Sequence, residues 1–100
     1  MFIAIVDFRI AATDRSAALA QFDRERDRVR AMPGNIAFRV YAAREDDTAV
    51  AVVHEWADEA SFAGYLGSDS FAQLSDVIRP MMIAAPLSRR FRADLLEAVA

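Results

Sequence analysis

The sequence predicts an α+β domain in which a four-stranded antiparallel sheet is backed by helices. Short runs rich in Phe, Ile and Val alternate with longer runs whose apolar residues recur at helical spacing. No Pro/Gly/Ser-rich linker or charge block divides the chain, so residues 1–100 are expected to form one folding unit. The apolar fraction of 55% is high for so short a chain, because a small domain can bury only a limited share of its surface.

The first two elements are a strand over residues 2–10 and the helix that follows it. Thr13 and Asp14 offer side-chain oxygens that could cap the start of this helix, and the pair Pro33-Gly34 marks its end. The apolar residues at helical spacing between them are Ala18, Leu19, Phe22, Val29 and Met32. The opposite face carries three acid–base pairs that are typical of an exposed helix, namely Asp23–Arg26, Glu25–Arg28 and Asp27–Arg30.

Two strands and a broken helix are expected next. Residues 35–43 and 48–56 are rich in strand-forming residues, and the polar linker 44–47 between them has the length of a hairpin loop. Asp58 can cap a short helix that ends at Gly67. The apolar residues of this helix are Phe62, Tyr65 and Leu66.

A further helix is expected to begin at Asp69 or Ser70 and to end before Pro80. Residues 87–93 alternate enough to form the last strand, and residues 94–100 fit either a frayed tail or a helical turn. If the broken helix counts as one element, the order is strand, helix, strand, strand, helix, strand. This is the order of a ferredoxin-like domain.

The apolar pattern of the strands predicts a homodimer. Helices cover one face of such a sheet, yet the first strand is apolar on both faces. Its two apolar sets are Phe2, Ala4, Val6 and Phe8 on one face and Ile3 and Ile5 on the other. A second subunit that stacks sheet against sheet would cover the remaining face, although a partner protein or a different oligomer would also do so.

Composition and motifs exclude several functional classes. The 15 acidic and 12 basic residues are scattered along the chain, so no basic stripe is available for nucleic acid. The lack of cysteine excludes disulfides and a cysteine nucleophile, and a single histidine argues against a metal site. No phosphate-binding loop or nucleophile elbow occurs, so neither metal nor cofactor is expected. Asp7 interrupts the first apolar run too early for a signal or membrane segment, so no membrane association is expected and the cytoplasm is the expected compartment.

Candidate catalytic residues cluster where the third strand ends. His54 and Trp56 are two residues apart, so they share a strand face, and this face is the candidate pocket wall. His54 could act as a base, Trp56 could hold a substrate ring, and Tyr65 could bond a substrate oxygen. Each of the three also fits a purely structural role, since a lone strand histidine is often only hydrogen-bonded and aromatic residues often belong to the core.

Arginines of the last strand offer a second possibility. Together with Arg39 of the second strand, Arg89, Arg90 and Arg92 could bind an acidic substrate. Cross-strand or cross-subunit pairing with Glu55, Asp7 or Asp94 is the expected use. No catalytic role is assigned to them.

Three segments resemble the antibiotic biosynthesis monooxygenase family over most of the chain: residues 33–38, residues 54–56 and residues 61–71. Members of that family form dimeric α+β barrels, so the resemblance implies the same homodimer. It also implies a pocket between sheet and helices in which dioxygen oxidises a small aromatic quinol or anthrone-like polyketide without metal or flavin. Such a phenolate or enolate can reduce dioxygen itself once its proton is removed and water is excluded.

Two departures from related patterns qualify the resemblance. Anthrone oxygenases of the family carry an asparagine four positions before the tryptophan, and this chain has Val52 there. The alternative is therefore a non-catalytic or small-ligand-binding dimeric barrel, and an isomerase or lyase is a third possibility. A haem-degrading branch of the fold differs at Asp7, at Tyr65 and at Ser75, which stands in the place of its axial histidine. Serine cannot serve as that iron ligand, so haem degradation is not expected.

Overall fold

A computed structural model describes all 100 residues and has the predicted architecture. Its elements are β1 (Phe2–Arg9), a 3₁₀ turn (Ala12–Asp14), α1 (Arg15–Arg30), β2 (Asn35–Ala42), β3 (Ala49–Trp56), α2 (Glu59–Leu66), α3 (Asp69–Ile78), a second 3₁₀ turn (Arg79–Met81) and β4 (Leu87–Arg92). The strands form one antiparallel sheet in the order β2-β3-β1-β4. The prediction of a ferredoxin-like α+β fold is confirmed. None of the helices has both the length and the apolar character needed to cross a membrane.

The starts of α2 and α3 agree with the prediction, whereas the predicted side-chain cap of α1 does not form. Asp58 caps α2 as expected, because its carboxylate accepts a hydrogen bond from the Ser61 backbone N–H at 2.8 Å. α3 begins at Asp69, as predicted, and its cap is the preceding Ser68, whose hydroxyl accepts from the Phe71 N–H at 3.2 Å. In α1 no side chain caps the first turn, since a 3₁₀ turn immediately precedes it.

The core lies between the helices and one face of the sheet. α1 packs on β2 and α3, and α2 packs on β3. The largest side chains that are almost completely buried are Ile10, Val29, Phe38, Trp56 and Ile78. Burial of aliphatic and aromatic side chains of this size contributes about 1.5–3 kcal/mol each. No helix covers β4, all of whose residues are exposed.

Part of the polar face of α1 is buried, which the helical pattern did not predict. Glu25 is 5% exposed, because α3 packs on this side of α1. Its carboxylate accepts a hydrogen bond from the Ser70 hydroxyl at 2.8 Å and pairs with Arg28 at 3.2 Å. The expected Asp27–Arg30 pair does not form, since Arg30 donates to the Phe38 carbonyl oxygen at 3.0 Å.

The other face of the sheet has no cover within this chain. Its apolar residues are Ile3, Ile5, Tyr41, Val53, Leu87 and Phe91. Three of them are largely open, with exposed fractions of 52% for Tyr41, 59% for Leu87 and 43% for Phe91. Two ion pairs, Arg39–Glu55 and Arg89–Asp7, lie among these apolar residues. We call this surface the open sheet face.

The turn between α1 and β2 requires Gly34. Its φ angle is +80°, a conformation that residues with a side chain rarely adopt. A Cβ atom here would overlap the Ser61 hydroxyl and lie 2.5 Å from the Ser61 Cβ. The Gly34 carbonyl also accepts a hydrogen bond from the Ala57 N–H at 2.7 Å. Gly34 therefore allows the start of β2 to approach the start of α2.

Gly34→Ala is expected to lower the free energy of unfolding by about 2 kcal/mol or more, because the backbone strain alone costs about 1–3 kcal/mol. The matched control is Gly64→Ala, since Gly64 is exposed in α2 and an added Cβ meets no atom within 4 Å. This control should raise the free energy of unfolding by up to about 1 kcal/mol. Urea unfolding checks both, and a Gly34→Ala protein as stable as the wild type would contradict the requirement.

Candidate functional site

A cavity of about 220 Å³ lies between the sheet and the helices α2 and α3. Its lining consists of Val6, Phe8, Phe22, Phe38, Val52, His54, Phe62, Tyr65, Leu66, Phe71, Leu74, Ser75, Ile78, Arg79, Met82, Pro86, Ser88 and Arg90. Most of these residues are apolar, and none is an aspartate or glutamate. An apolar cavity of roughly 150 Å³ can hold benzene. The size therefore suits one substituted aromatic ring with little room to spare.

One row of paired residues crosses the sheet under the cavity. It consists of Arg90 on β4, Ala4 on β1, His54 on β3 and Phe38 on β2. Residues paired across antiparallel strands share a face, so the only histidine and an arginine point to the same side. They are two strands apart, which separates their backbones by about 10 Å. Only the methyl group of Ala4 lies between them in this row.

His54 is held by a hydrogen bond from Trp56. The indole Nε1–H donates to His54 Nδ1 at 2.9 Å. An indole nitrogen can only donate, so Nδ1 must be unprotonated, and the hydrogen of the neutral imidazole is then on Nε2. His54 Nε2 has no hydrogen-bond partner within the protein and is not sealed from the cavity. His54 therefore presents an N–H donor to a bound molecule.

The protonation of His54 agrees with this geometry. Burial, and to a smaller extent the nearby Arg90 cation, lowers the pKa of His54 to about 4. The ring is therefore neutral at pH 7. A general base must offer a lone pair to its substrate, and Trp56 already occupies the lone pair of Nδ1. This geometry favours a hydrogen-bond donor over the base that was predicted for His54.

Tyr65 lines the cavity beside His54, and the centroids of the two rings are 5.5 Å apart. The Tyr65 hydroxyl has no hydrogen-bond partner within the protein and is not sealed from the cavity. Burial raises the pKa of Tyr65, and the negative charge of Glu25 adds to this effect. The hydroxyl therefore stays protonated and is a second donor.

Trp56 has a different place from the one expected. It is completely buried and does not line the cavity, so it cannot hold a substrate ring by direct contact. Its ring stacks on that of Tyr65, with centroids 5.3 Å apart and planes inclined by 28°. Trp56 thus positions both His54, through the hydrogen bond, and Tyr65, through the stack.

The cavity also contains two arginines, Arg90, for which pairing with an acid was expected, and Arg79, for which no role was predicted. The Arg90 guanidinium carbon lies 5.0 Å from the centroid of the Phe62 ring, which is a cation–π contact. Its neighbours on β4 pair with acids, Arg89 with Asp7 at 3.5 Å and Arg92 with Glu59 at 2.9 Å. Alternation along the last strand was the available signal, because it places Arg89 and Arg90 on opposite faces.

No group of three or more His, Cys, Asp or Glu side chains is arranged to hold a metal ion. Ser75, in the position where the haem-degrading branch has its axial histidine, lines the cavity. Its hydroxyl is not a ligand for haem iron.

A family model described as antibiotic biosynthesis monooxygenase matches residues 1–76. A crystal structure of an antibiotic biosynthesis monooxygenase has a TM-score of 0.87 and 17% identity, and the match covers 95% of this chain and 100% of that one. Rv0793 from Mycobacterium tuberculosis has a TM-score of 0.86 and 17% identity over 98% of both chains. A conserved protein from Methanosarcina mazei Go1 has the same TM-score of 0.86 and 17% identity over 94% of both chains. At such identities the structural likeness shows the fold alone. No curated protein sequence matches this chain.

The lowered pKa of His54 predicts a loss of stability in mild acid. The ordinary pKa of 6.5 applies in the unfolded chain and about 4 in the folded protein. As the pH falls from 6.5 to 4, the unfolded chain takes up a proton that the folded protein does not. The free energy of unfolding should therefore fall over this window, by about 3 kcal/mol in total. The charged group that faces His54 is Arg90.

The test is urea unfolding between pH 4 and 7.5, followed by the fluorescence of Trp56, the only tryptophan. His54→Gln is the comparison, because its amide oxygen can accept from Trp56 and does not titrate. Its stability should fall less over the window. Hydrogen bonds from Thr48 and Ser61 lower the pKa values of Asp46 and Asp58, so these two acids titrate mainly below the window in both proteins. Parallel curves for the two proteins would show that another group titrates.

Proposed function

The chain belongs to the antibiotic biosynthesis monooxygenase family, which the match over residues 1–76 shows, and from this premise we propose that it is a cofactor-independent monooxygenase. Its substrate is a small aromatic quinol or anthrone-like compound, and dioxygen is the oxidant. The observation that carries the proposal is the aromatic-lined cavity bordered by His54 and Tyr65, whose Nε2–H and hydroxyl have no hydrogen-bond partner within the protein. A cavity of about 220 Å³ favours a one-ring quinol over a larger polyketide.

The donors suggest how the substrate is activated. A quinol reacts with dioxygen through its anion, and no lining residue is a base at neutral pH. Hydrogen bonds from His54 and Tyr65 would stabilise the oxygen anion of the bound substrate, because donors in a water-poor site stabilise developing charge strongly. The pKa of the substrate hydroxyl would then fall, and its proton would leave to water at the exposed β4 side of the cavity.

The oxygenation itself balances without an external reductant. Electrons of the substrate anion reduce dioxygen, and a carbon–oxygen bond forms at a ring or methylene carbon that carries hydrogen, giving a peroxide. Loss of the remaining hydrogen of that carbon as a proton breaks the oxygen–oxygen bond. One carbonyl and one water are formed for each dioxygen consumed. Apolar walls that exclude water protect the peroxide until this step.

A second candidate is a binding protein that keeps the barrel without catalysis. Two observations favour it: Val52 lines the cavity where anthrone oxygenases have an amide, and Trp56 occupies the lone pair of His54. Such a protein would bind the same aromatic ligands and leave them unchanged.

Quinone formation by chelator-treated protein tests the proposal. Oxygen uptake should equal the quinone formed, turnover should cease without dioxygen, and chelators should have no effect. Tyr65→Phe and His54→Ala should each lower kcat, by about 10²-fold if each removes one donor to the developing anion. Tyr41→Phe is the control, because Tyr41 lies on the open sheet face, and its kcat should equal that of the wild type. Saturable binding without oxygen uptake would support the second candidate instead.

We also propose that two copies pair through the open sheet face to form a homodimer. The exposed apolar side chains of Tyr41, Leu87 and Phe91 support this pairing, because a sheet face of this kind is normally packed. The two arginine–carboxylate pairs on the same face can meet their symmetry mates across a two-fold axis.

Light scattering at micromolar concentration should give about twice the chain mass of 11.1 kDa. Phe91→Glu places a charge in the proposed contact and should give a monomer. Ala72→Glu is the control, since Ala72 is exposed on α3 on the other side of the molecule, and this variant should stay dimeric. A Phe91→Glu protein of unchanged mass would contradict pairing through this face.

A further inference from the structure

The charge of the cavity is opposite to the charge of the chain. The chain has a net charge of −3, yet the cavity is lined by Arg79 and Arg90 and by no acid. Seven of the twelve arginines form an ion pair with a carboxylate, and the two in the cavity are not among them. No acidic side chain of the protein therefore neutralises the two arginines that line this apolar cavity.

Arg90 is arranged to receive that anion. Its guanidinium rests on the Phe62 ring, and its Nε donates to the Ser88 hydroxyl at 3.4 Å. A guanidinium stacked on a ring keeps the N–H groups of its edge available, and a carboxylate can accept two of them in parallel. The neighbouring arginines of β4 are not available in this way, because Asp7 and Glu59 occupy them.

The buried part of the cavity indicates which other groups a ligand should carry. His54 and Tyr65 are 3% and 5% exposed, and each presents a hydrogen-bond donor without a protein partner. A ligand oxygen near these donors would satisfy them, and Phe38, Phe62 and Phe71 would surround the ring that carries it. One cavity therefore combines three features. It has apolar walls, hydrogen-bond donors at its buried side and a cation at its exposed side.

We propose that the ligand of this cavity is an aromatic acid, a hydroxylated ring whose hydroxyl oxygen meets His54 and Tyr65 and whose carboxylate pairs with Arg90. This inference rests on the proposed function, because it concerns the same cavity and names the substrate class more closely. The carboxylate sits at the solvent side, where its hydration is only partly lost, and the ring supplies the apolar contact. Arg79 adds a second positive charge to the same cavity.

Calorimetric titration at pH 7 with matched ligands tests the inference. The probes are a hydroxybenzoate and the carboxamide of the same ring, which has nearly the same shape and no charge. The wild type should bind the acid at least tenfold more tightly than the amide, and this preference should shrink as salt is added. In Arg90→Gln the preference should fall to about threefold or less.

Arg89→Gln is the matched control, because Arg89 is the next residue of β4, faces the opposite side of the sheet and pairs with Asp7. This variant should keep the full preference for the acid. Arg90→Lys keeps the charge and should keep part of the preference. Arg90 is exposed, so these variants should fold, which a melting curve checks.

The outcomes separate this inference from the proposed function. Equal affinity for acid and amide would overturn the aromatic acid and leave the aromatic-binding cavity in place. A preference for the acid that survives in Arg90→Gln would overturn the pairing with Arg90 and with it the inference. Binding of neither ligand, to a protein whose melting curve shows that it is folded, would overturn both.

Discussion

Trp56 and His54 share one hydrogen bond, and because an indole nitrogen can only donate, that bond fixes which histidine nitrogen carries the hydrogen. The bond is buried, so water does not compete for either partner, and breaking it would leave a polar group unsatisfied in the core. The bond therefore determines that His54 offers a donor, and not an acceptor, to the cavity. With His54 Nε2 and Tyr65 both donating, the buried end of the cavity accepts oxygen atoms and offers no base.

The surrounding sheet makes this arrangement possible through its register. Ala4 pairs with both His54 and Arg90, and a larger residue at that point would fill the space above the row. The helices cover β3 and leave β4 open, so the buried His54 and the exposed Arg90 cation lie on opposite sides of Ala4 in the same row. Burial lowers the pKa of His54 for the same reason that it strengthens hydrogen bonds to a bound oxygen, because few water dipoles are present to respond.

Alternation and turn chemistry in the sequence sufficed to predict the order of the elements along the chain, the hairpin and the face shared by His54 and Trp56. They did not predict which residues of that face line the cavity and which are covered by other side chains. Both residues point toward the helices, but only His54 reaches the cavity, since α2 and the Tyr65 ring close over Trp56. Glu25 illustrates the same limit, because its helical position fits an exposed residue until α3 is placed beside it. The direction of the Trp56–His54 hydrogen bond depends on side-chain geometry at a scale of a few tenths of an ångström, which residue spacing does not carry.

The position of β4 at the end of the sheet has a consequence for solubility. An edge strand leaves a row of backbone N–H and C=O groups without partners, and such a row can pair with the edge of another molecule. Three of the six residues of β4 are arginines, and their charges oppose this edge-to-edge association between identical chains. Arg90 would then have two independent roles, because it pairs with the ligand carboxylate and opposes aggregation through the edge strand. A relative that binds a neutral ligand would still be expected to keep a charged residue somewhere on this strand.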